Sequence, residues 1–454
     1  MNKLKESMNT QKQVLLVLTV VALLSSGCST FRSYKDESLA VVQDINMGNL
    51  DHAIVTLDKN VPRDKDILYF MEKGEVLRLK KSFSESFTTW MEAEKMVDDS
   101  ENEAKITLGK VGGGATSLLV NDKSMRYDGQ DYEKVLLSTR LALDHISMGN
   151  LEGARVQIKK THEREAIIEE LHSKEIQEQE EEAKSKGITT TMEDLKGYPV
   201  ATLNSSEVTQ LKNSYQSAFS HYLAGYLYES LGEVGLAAPG YKKAIEINPN
   251  VQTIKNDLSG LDQRVAERGH KTYVDVLFVI ENGFAPTVSS MMIPIPAPVV
   301  GIVPISFPLL DSDPSAGLLA TTIKLPTNNM VTLEKITNID AMAKKSLRDR
   351  LPAIIIRGLV RAAAKGASQA AAYKQDLIAG LVVNAINVAT ESADERTWKT
   401  VPSSISIARA KLPLGKNKII VNSSIGPTEL EVDVKADYAV VPMRLLPNSL
   451  ILLQ

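Results

Sequence analysis

The side chains that could do chemistry in this chain are few and widely spaced. It has a single cysteine, Cys28, and six histidines scattered along 454 residues. No two histidines stand three or four positions apart, the spacing that places two imidazoles on one helix face around a metal ion. The Gly-x-Ser-x-Gly sequence of a serine hydrolase is absent as well. The sequence therefore predicts no metal site, no cofactor and no catalytic residue.

One compact cluster of polar and aromatic residues stands out, formed by Asp394, Arg396 and Trp398. Such a cluster can mark a functional site, but structural ion pairs are the commoner cause. We expect Asp394 to pair with Arg396 at a joint between a helix and a strand. Most other carboxylates fall in helical charge patterns, where exposure to solvent is the expected role. The same reasoning predicts that His162 and His172, in or beside a charged helix, are solvated.

The first 28 residues have the order of an export signal. A basic start precedes the apolar run Val14–Leu24, and small residues lead from there to Cys28. The run is 11 residues long, whereas a membrane-spanning helix needs about 20. We expect residues 1–27 to be a signal peptide; an uncleaved anchor and an ordinary secretory signal are the alternatives.

The end of this segment resembles the bacterial lipobox, in which a small residue precedes a cysteine that becomes acylated. The resemblance implies that Cys28 carries lipid and becomes the mature amino terminus, although Ser25 stands where leucine is usual. Ser29 follows the cysteine in place of aspartate, which in Gram-negative lipoproteins implies the outer membrane. Two or three acyl chains give a stable anchor. The implied location is the periplasmic face of the outer membrane.

Composition indicates a folded protein of two or three domains. The chain is 43% hydrophobic and 24% charged, enough to bury a sizeable core. The formal charge of −4 becomes −6 once three lysines and one glutamate leave with the signal. Nothing basic enough to seek nucleic acid remains.

Internal similarity indicates helical hairpins in the first half. The segment Ile45–Ala53 recurs as Ile146–Ala154, 101 residues later. Both copies turn at a glycine and resume with a small residue, which predicts a helix-turn-helix unit used twice, over 38–61 and 135–161.

Residues 218–250 resemble the tetratricopeptide repeat, and residues 67–97 carry a second copy. The matching residues are Gly225, Tyr228, Gly232, Ala237, Tyr241, Ala244 and Pro249, and, in the second copy, Gly74, Trp90 and Ala93. The resemblance implies a helical solenoid over 28–265 that presents a groove to a protein partner. A generic helical bundle is the alternative.

Two segments interrupt the repeats. Residues 109–117 are rich in glycine but lack the Gly-Lys-Ser/Thr ending of a phosphate loop, so we expect a surface loop. Residues 163–186 are dense in Glu and Lys, which favours a solvated helix.

The pattern changes after Arg264, where strands replace helices. β-branched and aromatic residues fill 273–280, and further strands are expected at 321–325, 331–336, 404–410, 418–421, 430–434 and 438–441. Residues 266–454 thus read as a β-rich α+β domain, a sandwich or a sheet, with a helical insertion near 340–393. Pro352 is expected in the first turn of a new helix.

The segment 291–308 is apolar and contains five prolines, which exclude a spanning helix. We expect an extended arm that covers the core. The alternative is a docking surface for a partner or the membrane.

Three segments, 127–137, 281–286 and 393–398, resemble an uncharacterised family of proteobacterial outer-membrane lipoproteins. The resemblance implies the location and the α+β architecture, and it implies no activity. We expect a non-enzymatic protein-interaction scaffold of the cell envelope, bound to the membrane through Cys28 and to an envelope protein through the repeats. A cell-wall enzyme with paired carboxylates and a carrier of lipid or small molecules are the alternatives.

Overall fold

The computed structural model describes residues 34–60, 65–108, 126–185, 191–269, 273–297, 301–375 and 392–454. Cys28 with the signal segment, the glycine-rich 109–117 and His270 lie outside these ranges. The fold is mixed α+β, with helices in the first half and sheets in the C-terminal part, which confirms the predicted class.

Twelve helices precede the first strand in the described part of the chain. They are α1 (Tyr34–Asn46), α2 (Leu50–Asn60), α3 (Ile67–Leu79), α4 (Phe83–Leu108), α5 (Asp131–Ser147), α6 (Leu151–Ser185), α7 (Val200–Leu203), α8 (Ser206–Thr209), α9 (Ala218–Ser230), α10 (Val234–Ile247), α11 (Gln252–Ser259) and α12 (Leu261–Ala266). The charged segment is helical from 163 to 185, within α6, as expected. The start of this helix is not solvated as predicted, because Arg164 and Glu165 are buried.

Four of these helix pairs are joined by the same tight turn. The second residue after each first helix has positive φ: Gly48 at 76°, Lys81 at 63°, Gly149 at 74° and Gly232 at 82°. At each turn the next residue donates its backbone N–H five residues back, as from Asn49 to Asp44. This is the Schellman arrangement, and it confirms the helix-turn-helix units predicted at 45–53 and 146–154.

The strands form three sheets. They are β1 (Val274–Asn282), β2 (Thr287–Ala297), β3 (Gly301–Asp311), β4 (Ala320–Lys324), β5 (Met330–Thr332), β6 (Glu334–Asn338), β7 (Ser404–Leu412), β8 (Gly415–Ser423), β9 (Gly426–Val434), β10 (Tyr438–Leu446) and β11 (Ser449–Leu452). The orders are β11-β10-β1-β7-β6, β5-β4-β8-β9 and the hairpin β2-β3. The predicted strands are confirmed, with 331–336 divided between β5 and β6.

Strand β1 lies at the centre of the molecule and is buried on both faces. It pairs with β10 in parallel and with β7 antiparallel. Leu277 and Val279 belong to the core shared with the helices, whereas Phe278 and Ile280 belong to the core shared with the four-stranded sheet. The five-stranded sheet is therefore the middle of three layers, and its alternating side chains serve two cores.

The apolar segment 291–308 forms most of the β2-β3 hairpin, and its inner face packs on α13 (Ile339–Gln375). Pro294 lies opposite Pro304, and Pro308 lies opposite Ser290. Residue pairs in an antiparallel ladder alternate between hydrogen-bonded and non-hydrogen-bonded. Because proline has no N–H to donate, we assign these two pairs to the non-hydrogen-bonded kind. The expected extended arm is confirmed, and the prolines in its described part lie at positions where the ladder needs no N–H donor.

Pro352 does not begin a helix, so that expectation is wrong. α13 begins at Ile339, where Asn338 accepts a hydrogen bond from the Ala341 backbone at 3.1 Å. The helix continues through Pro352 because Leu347, Leu351 and Ile354 share one apolar core with the hairpin. None of the helices in the described ranges is both long and apolar enough to cross a membrane.

Candidate binding site

The tetratricopeptide-like residues of 67–97 make a close contact between α3 and α4. A Cβ atom on Gly74 would lie 2.2 Å from the Trp90 indole nitrogen, so only glycine fits there. Trp90 and Ala93 are fully buried, and Trp90 donates its indole N–H to the Met71 carbonyl at 3.0 Å. The small residue thus lets the two helices approach over a large ring.

The same contact recurs between α9 and α10. A Cβ on Gly225 would lie 2.7 Å from the Tyr241 ring. Tyr241, Ala237 and Ala244 are fully buried, Tyr228 is nearly so, Gly232 forms the turn, and Pro249 follows the end of α10. The residues that resemble the repeat therefore build hairpins, and none of them lies in a cleft described below.

The first helices of these hairpins bind the central sheet through buried charges. The acid Glu281 on β1 accepts a hydrogen bond from Arg78 of α3 at 2.9 Å and another from Arg140 of α5. Arg444 of β10 lies 3.3 Å from Glu75 of α3. All five side chains are at most 1% exposed. The three guanidinium groups hold the pKa of Glu281 down, to about 2, against the opposing effect of burial.

A second group of charges joins α9 to the same sheet. Glu229 accepts hydrogen bonds from Arg264 at 2.7 Å and from Arg409 of β7 at 2.5 Å. Arg409 also contacts Asp275 of β1 at 2.6 Å, and the Tyr226 hydroxyl donates to the Asp275 carbonyl at 2.6 Å. Helices α3, α5 and α9 are thus covered on one side by the chain's own sheet.

Two buried carboxylates on these helices hold the loop 393–400. Glu133 of α5 accepts hydrogen bonds from the Trp398 backbone at 2.8 Å and from the Thr397 hydroxyl at 3.0 Å. Its other oxygen accepts from the Tyr127 hydroxyl at 2.5 Å. Two of the segments on which the family resemblance depends, 127–137 and 393–398, therefore meet at one carboxylate.

Glu72 of α3 holds the next two residues of this loop. It accepts hydrogen bonds from the Lys399 backbone at 2.6 Å and from the Thr400 backbone at 3.1 Å. Burial raises the pKa of Glu72 to about 7, in spite of these hydrogen bonds, which lower it. Burial raises the pKa of Glu133 as well. The loop is thus fixed by acids that titrate above their usual range.

A cleft of about 310 Å³ lies between residues 126–132, the loop 393–400, the β2-β3 hairpin and α13. We call it the arginine cleft. Four arginines line it: Arg126, Arg350, Arg357 and Arg396. Its apolar wall comes from the hairpin and α13 and consists of Val288, Pro308, Leu310, Ala343, Leu347 and Ile354. Asp128, Gln130 and Asp394 complete its polar side, with Tyr127 and Tyr132.

Some charged side chains in the arginine cleft form ion pairs with one another, and Arg350 does not. Arg396 pairs with Asp394 at 2.8 Å, as the sequence predicts, and lies 5.1 Å over the Tyr127 ring. Arg126 pairs with Asp128 at 2.6 Å. Arg350 is exposed and, among the described residues, has no carboxylate within ion-pair distance; it donates a hydrogen bond to the Ser346 carbonyl at 3.4 Å. Against the opposing effect of burial, its charge helps those of Lys134 and His172 to lower the pKa of Asp131. The cleft therefore holds two more positive than negative side chains.

The histidines behave differently from the sequence expectation. His162 is not solvated, because its ring stacks on His221 at 4.7 Å between centroids. Burial and the neighbouring imidazole lower the pKa of His162 to about 4, and His221 contacts Glu165 at 2.9 Å. His172 lies 2.5 Å from Asp131. No cluster of three metal-binding side chains occurs in the described ranges.

In the sequence alone, the arginines of α13 cannot be told from the polar surface of an ordinary amphipathic helix. The signal that identifies the cleft is the order Leu347, Arg350, Ile354 and Arg357, which places alternating apolar and basic side chains along one helix face. It becomes a site only because the hairpin and two distant loops close around it. No periodicity in the sequence predicts that closure.

No protein-family model, curated protein or solved structure matches this chain. Its function is therefore inferred from the chemistry of the arginine cleft and from the features of its sequence.

Proposed function

We propose that this protein is a non-enzymatic scaffold of the Gram-negative cell envelope, tethered to the outer membrane through lipidated Cys28 and facing the periplasm. The export signal and the lipobox-like residues support the location. In this proposal the hairpins of 28–265 are tetratricopeptide-like units, and 266–454 is a sandwich-like domain with a helical insertion. The protein holds a partner protein of the envelope.

The arginine cleft is the partner's binding site in this proposal. A solenoid of helical hairpins often binds its partner along one continuous face. Here α3, α5 and α9 contact the chain's own sheet through Glu281, Glu229 and Asp275, so that side of the hairpins is occupied. The observation that carries the proposal is the cleft itself, where four arginines lie beside an apolar wall.

The apolar segment 291–308 supports this choice over a carrier function. Ile293, Ile305 and Phe307 are buried against α13, so the apolar residues of the hairpin serve the core. The hairpin contributes Val288, Pro308 and Leu310 to the cleft, from the end opposite its turn.

Photo-crosslinking in intact cells tests the proposal. A photoreactive residue at Gln130 faces the arginine cleft, whereas one at Val156, which is 62% exposed on α6, serves as the control. We expect one discrete envelope-protein adduct from position 130 that position 156 does not give. Adducts that are identical at both positions, or none at position 130, would overturn the proposal.

The tether is tested separately with Cys28→Ser. Metabolic labelling with an alkyne-tagged palmitate should mark the natural protein and leave the variant unlabelled. Label that persists in the variant would show that acylation occurs elsewhere.

A further inference from the structure

Building on the proposed function, we infer that the arginine cleft recognises an acidic peptide segment, in which a carboxylate stands next to an apolar side chain. The inference names the chemistry of the partner at the site proposed above. Four features of the cleft carry it.

The first feature is the open charge of Arg350. Its side chain is exposed on α13 and forms no ion pair in the described part of the chain. Asp131 is close enough to interact with its charge but already contacts Lys134 and His172. Asp128 and Asp394 engage Arg126 and Arg396. A planar guanidinium forms paired hydrogen bonds with a carboxylate, which gives direction as well as affinity. Arg350 is therefore the anchor for an incoming acidic group.

The second feature is the apolar surface on either side of that anchor. Leu347 and Ile354 lie three residues before and four residues after Arg350, which places all three on one face of α13. Val288 and Leu310 of the hairpin line the same cleft. Leu347, Ile354 and Val288 are nearly fully buried, whereas Pro308 and Leu310 are half-buried. The neighbour of an acidic group bound to Arg350 thus meets an apolar wall whose accessible part is Pro308 and Leu310.

The third feature is the pair of acids in the lining. Asp128 and Asp394 accept hydrogen bonds, and a peptide offers backbone N–H donors to such groups. A fatty-acid carboxylate or a lipid phosphate offers no N–H donor to these two acids.

The fourth feature is size and rigidity. A volume of about 310 Å³ lies at the lower end of the range for small binding sites. It suits one acidic and one apolar side chain of a peptide. The loops that close the cleft are fixed by Glu133 and Glu72, so little order has to be gained on binding.

Fluorescence anisotropy with the lipidated mature protein, purified in a non-ionic detergent, tests the inference. The probes are two labelled hexapeptides, one alternating Glu and Leu and one alternating Gln and Leu. We expect the acidic peptide to bind at least about tenfold more tightly than the neutral one, since charge-assisted bonds are the stronger. We expect Arg350→Glu to weaken its binding by about tenfold or more.

Lys242→Glu is the matched control, because Lys242 is exposed on α10 and does not line the cleft. It makes the same change in net charge and should leave peptide binding unaltered. Equal thermal unfolding of both variants and the natural protein shows that Arg350→Glu changes the site and not the fold.

Equal affinity for the two peptides, or equal weakening by both variants, would overturn the inference. Saturable binding of dodecanoate or dodecyl phosphate that is lost in Arg350→Glu, without peptide binding, would replace the peptide with a lipid-like anion. A discrete adduct at position 130 together with failed peptide binding would refute the ligand chemistry and leave the scaffold proposal standing. Peptide binding without an adduct in cells would support the ligand chemistry and overturn the scaffold proposal.

Discussion

The buried acids that hold the loop 393–400 make the molecule sensitive to pH at single residues. Glu72 accepts two backbone N–H groups of that loop, and burial raises its pKa from 4.5 to about 7. An acid whose folded pKa is raised binds its proton more tightly in the folded state. Its contribution to stability is therefore fully present below pH 4.5 and is lost as the pH rises to about 7.

Glu72→Gln tests this linkage. Glutamine keeps the shape and one of the two acceptor oxygens but cannot ionise, so the variant should not lose stability between pH 4.5 and 7 through this residue. We expect its free energy of unfolding to rise relative to the natural protein by on the order of 2 kcal/mol between pH 5 and pH 8. Urea unfolding across that range measures the difference, and parallel pH profiles would contradict the assignment.

At the same scale, Gly74 shows which glycine is required by packing. A methyl group there would overlap the Trp90 indole, so Gly74→Ala should destabilise the protein by about 1–3 kcal/mol. Gly235 lies within α10, and a Cβ there meets nothing within 4 Å. Gly235→Ala should therefore be stabilising, by up to about 1 kcal/mol. Thermal or urea unfolding of both variants measures the change in stability. Equal changes for Gly74→Ala and Gly235→Ala would show that helix propensity, and not packing, determines the effect.

At the scale of elements, the four similar turns contain one exception. Lys81 has a φ of 63° where the other three turns have glycine. A residue with a side chain pays roughly 1–2 kcal/mol in this conformation. The turn between α3 and α4 therefore carries strain that the other hairpins avoid.

Lys81→Gly should relieve this strain and raise the free energy of unfolding by about 1 kcal/mol. Gly149→Ala places a side chain in the corresponding turn of the next hairpin, where φ is 74°, and should lower it by about the same amount. Urea unfolding measures both variants. A destabilised Lys81→Gly would mean that the lysine side chain makes a stabilising contact of its own.

The elements were largely predictable, for identifiable reasons. The hairpins were predicted from a glycine that stands between two segments with helical apolar periodicity, as at Gly48 and Gly149. The strands were predicted from runs of β-branched residues, such as that of β1. Pro352 misled because a proline usually stops a helix, and here the core shared by Leu351 and Ile354 continues the helix past it. β11 was not predicted, because Ser449–Leu452 is too short to show alternation.

The arginine cleft was not predictable, because its parts come from four separate regions of the chain. Arg126, Val288, Arg350 and Arg396 meet only after the sheet, hairpin and helices have packed. The pairing of Asp394 with Arg396 was within reach, since the two residues are close in sequence. The stacking of His162 on His221 could not be predicted, because the two residues are distant in sequence and meet only where α6 packs against α9.

At the scale of the whole molecule, the buried charges make the two halves one unit. Arg140 of α5 contacts Glu281 of β1 and is 1% exposed. Removing one member of a buried ion cluster leaves another charge without compensation. The helices and the sheet should therefore lose their structure together.

Arg140→Leu should destabilise the protein by about 3–5 kcal/mol. Lys159→Leu removes an exposed pair with Glu163, at 3.5 Å, and should cost less than about 1 kcal/mol. Urea unfolding followed by circular dichroism in the helical band and by Trp90 and Trp398 fluorescence measures both. Trp90 of α4 packs on Trp398 of the C-terminal half, at 6.1 Å between ring centroids, so the fluorescence reports on the contact between the halves. A fluorescence change that precedes the loss of helix in the natural protein would show that the halves separate before they unfold.

The position of Arg444 also bears on how the protein is made. This residue joins the buried cluster with Glu75, 369 residues earlier in the chain, so the contact has a high sequence separation and forms late. A chain that is synthesised from its amino end completes α3 and α5 long before β10. During that interval the charged sides of these helices have no sheet to cover them, and a product truncated before residue 444 keeps them exposed. Completion of the C-terminus is thus the step that hides this surface from chaperones and proteases, and it gives the cell a means of distinguishing finished molecules from fragments.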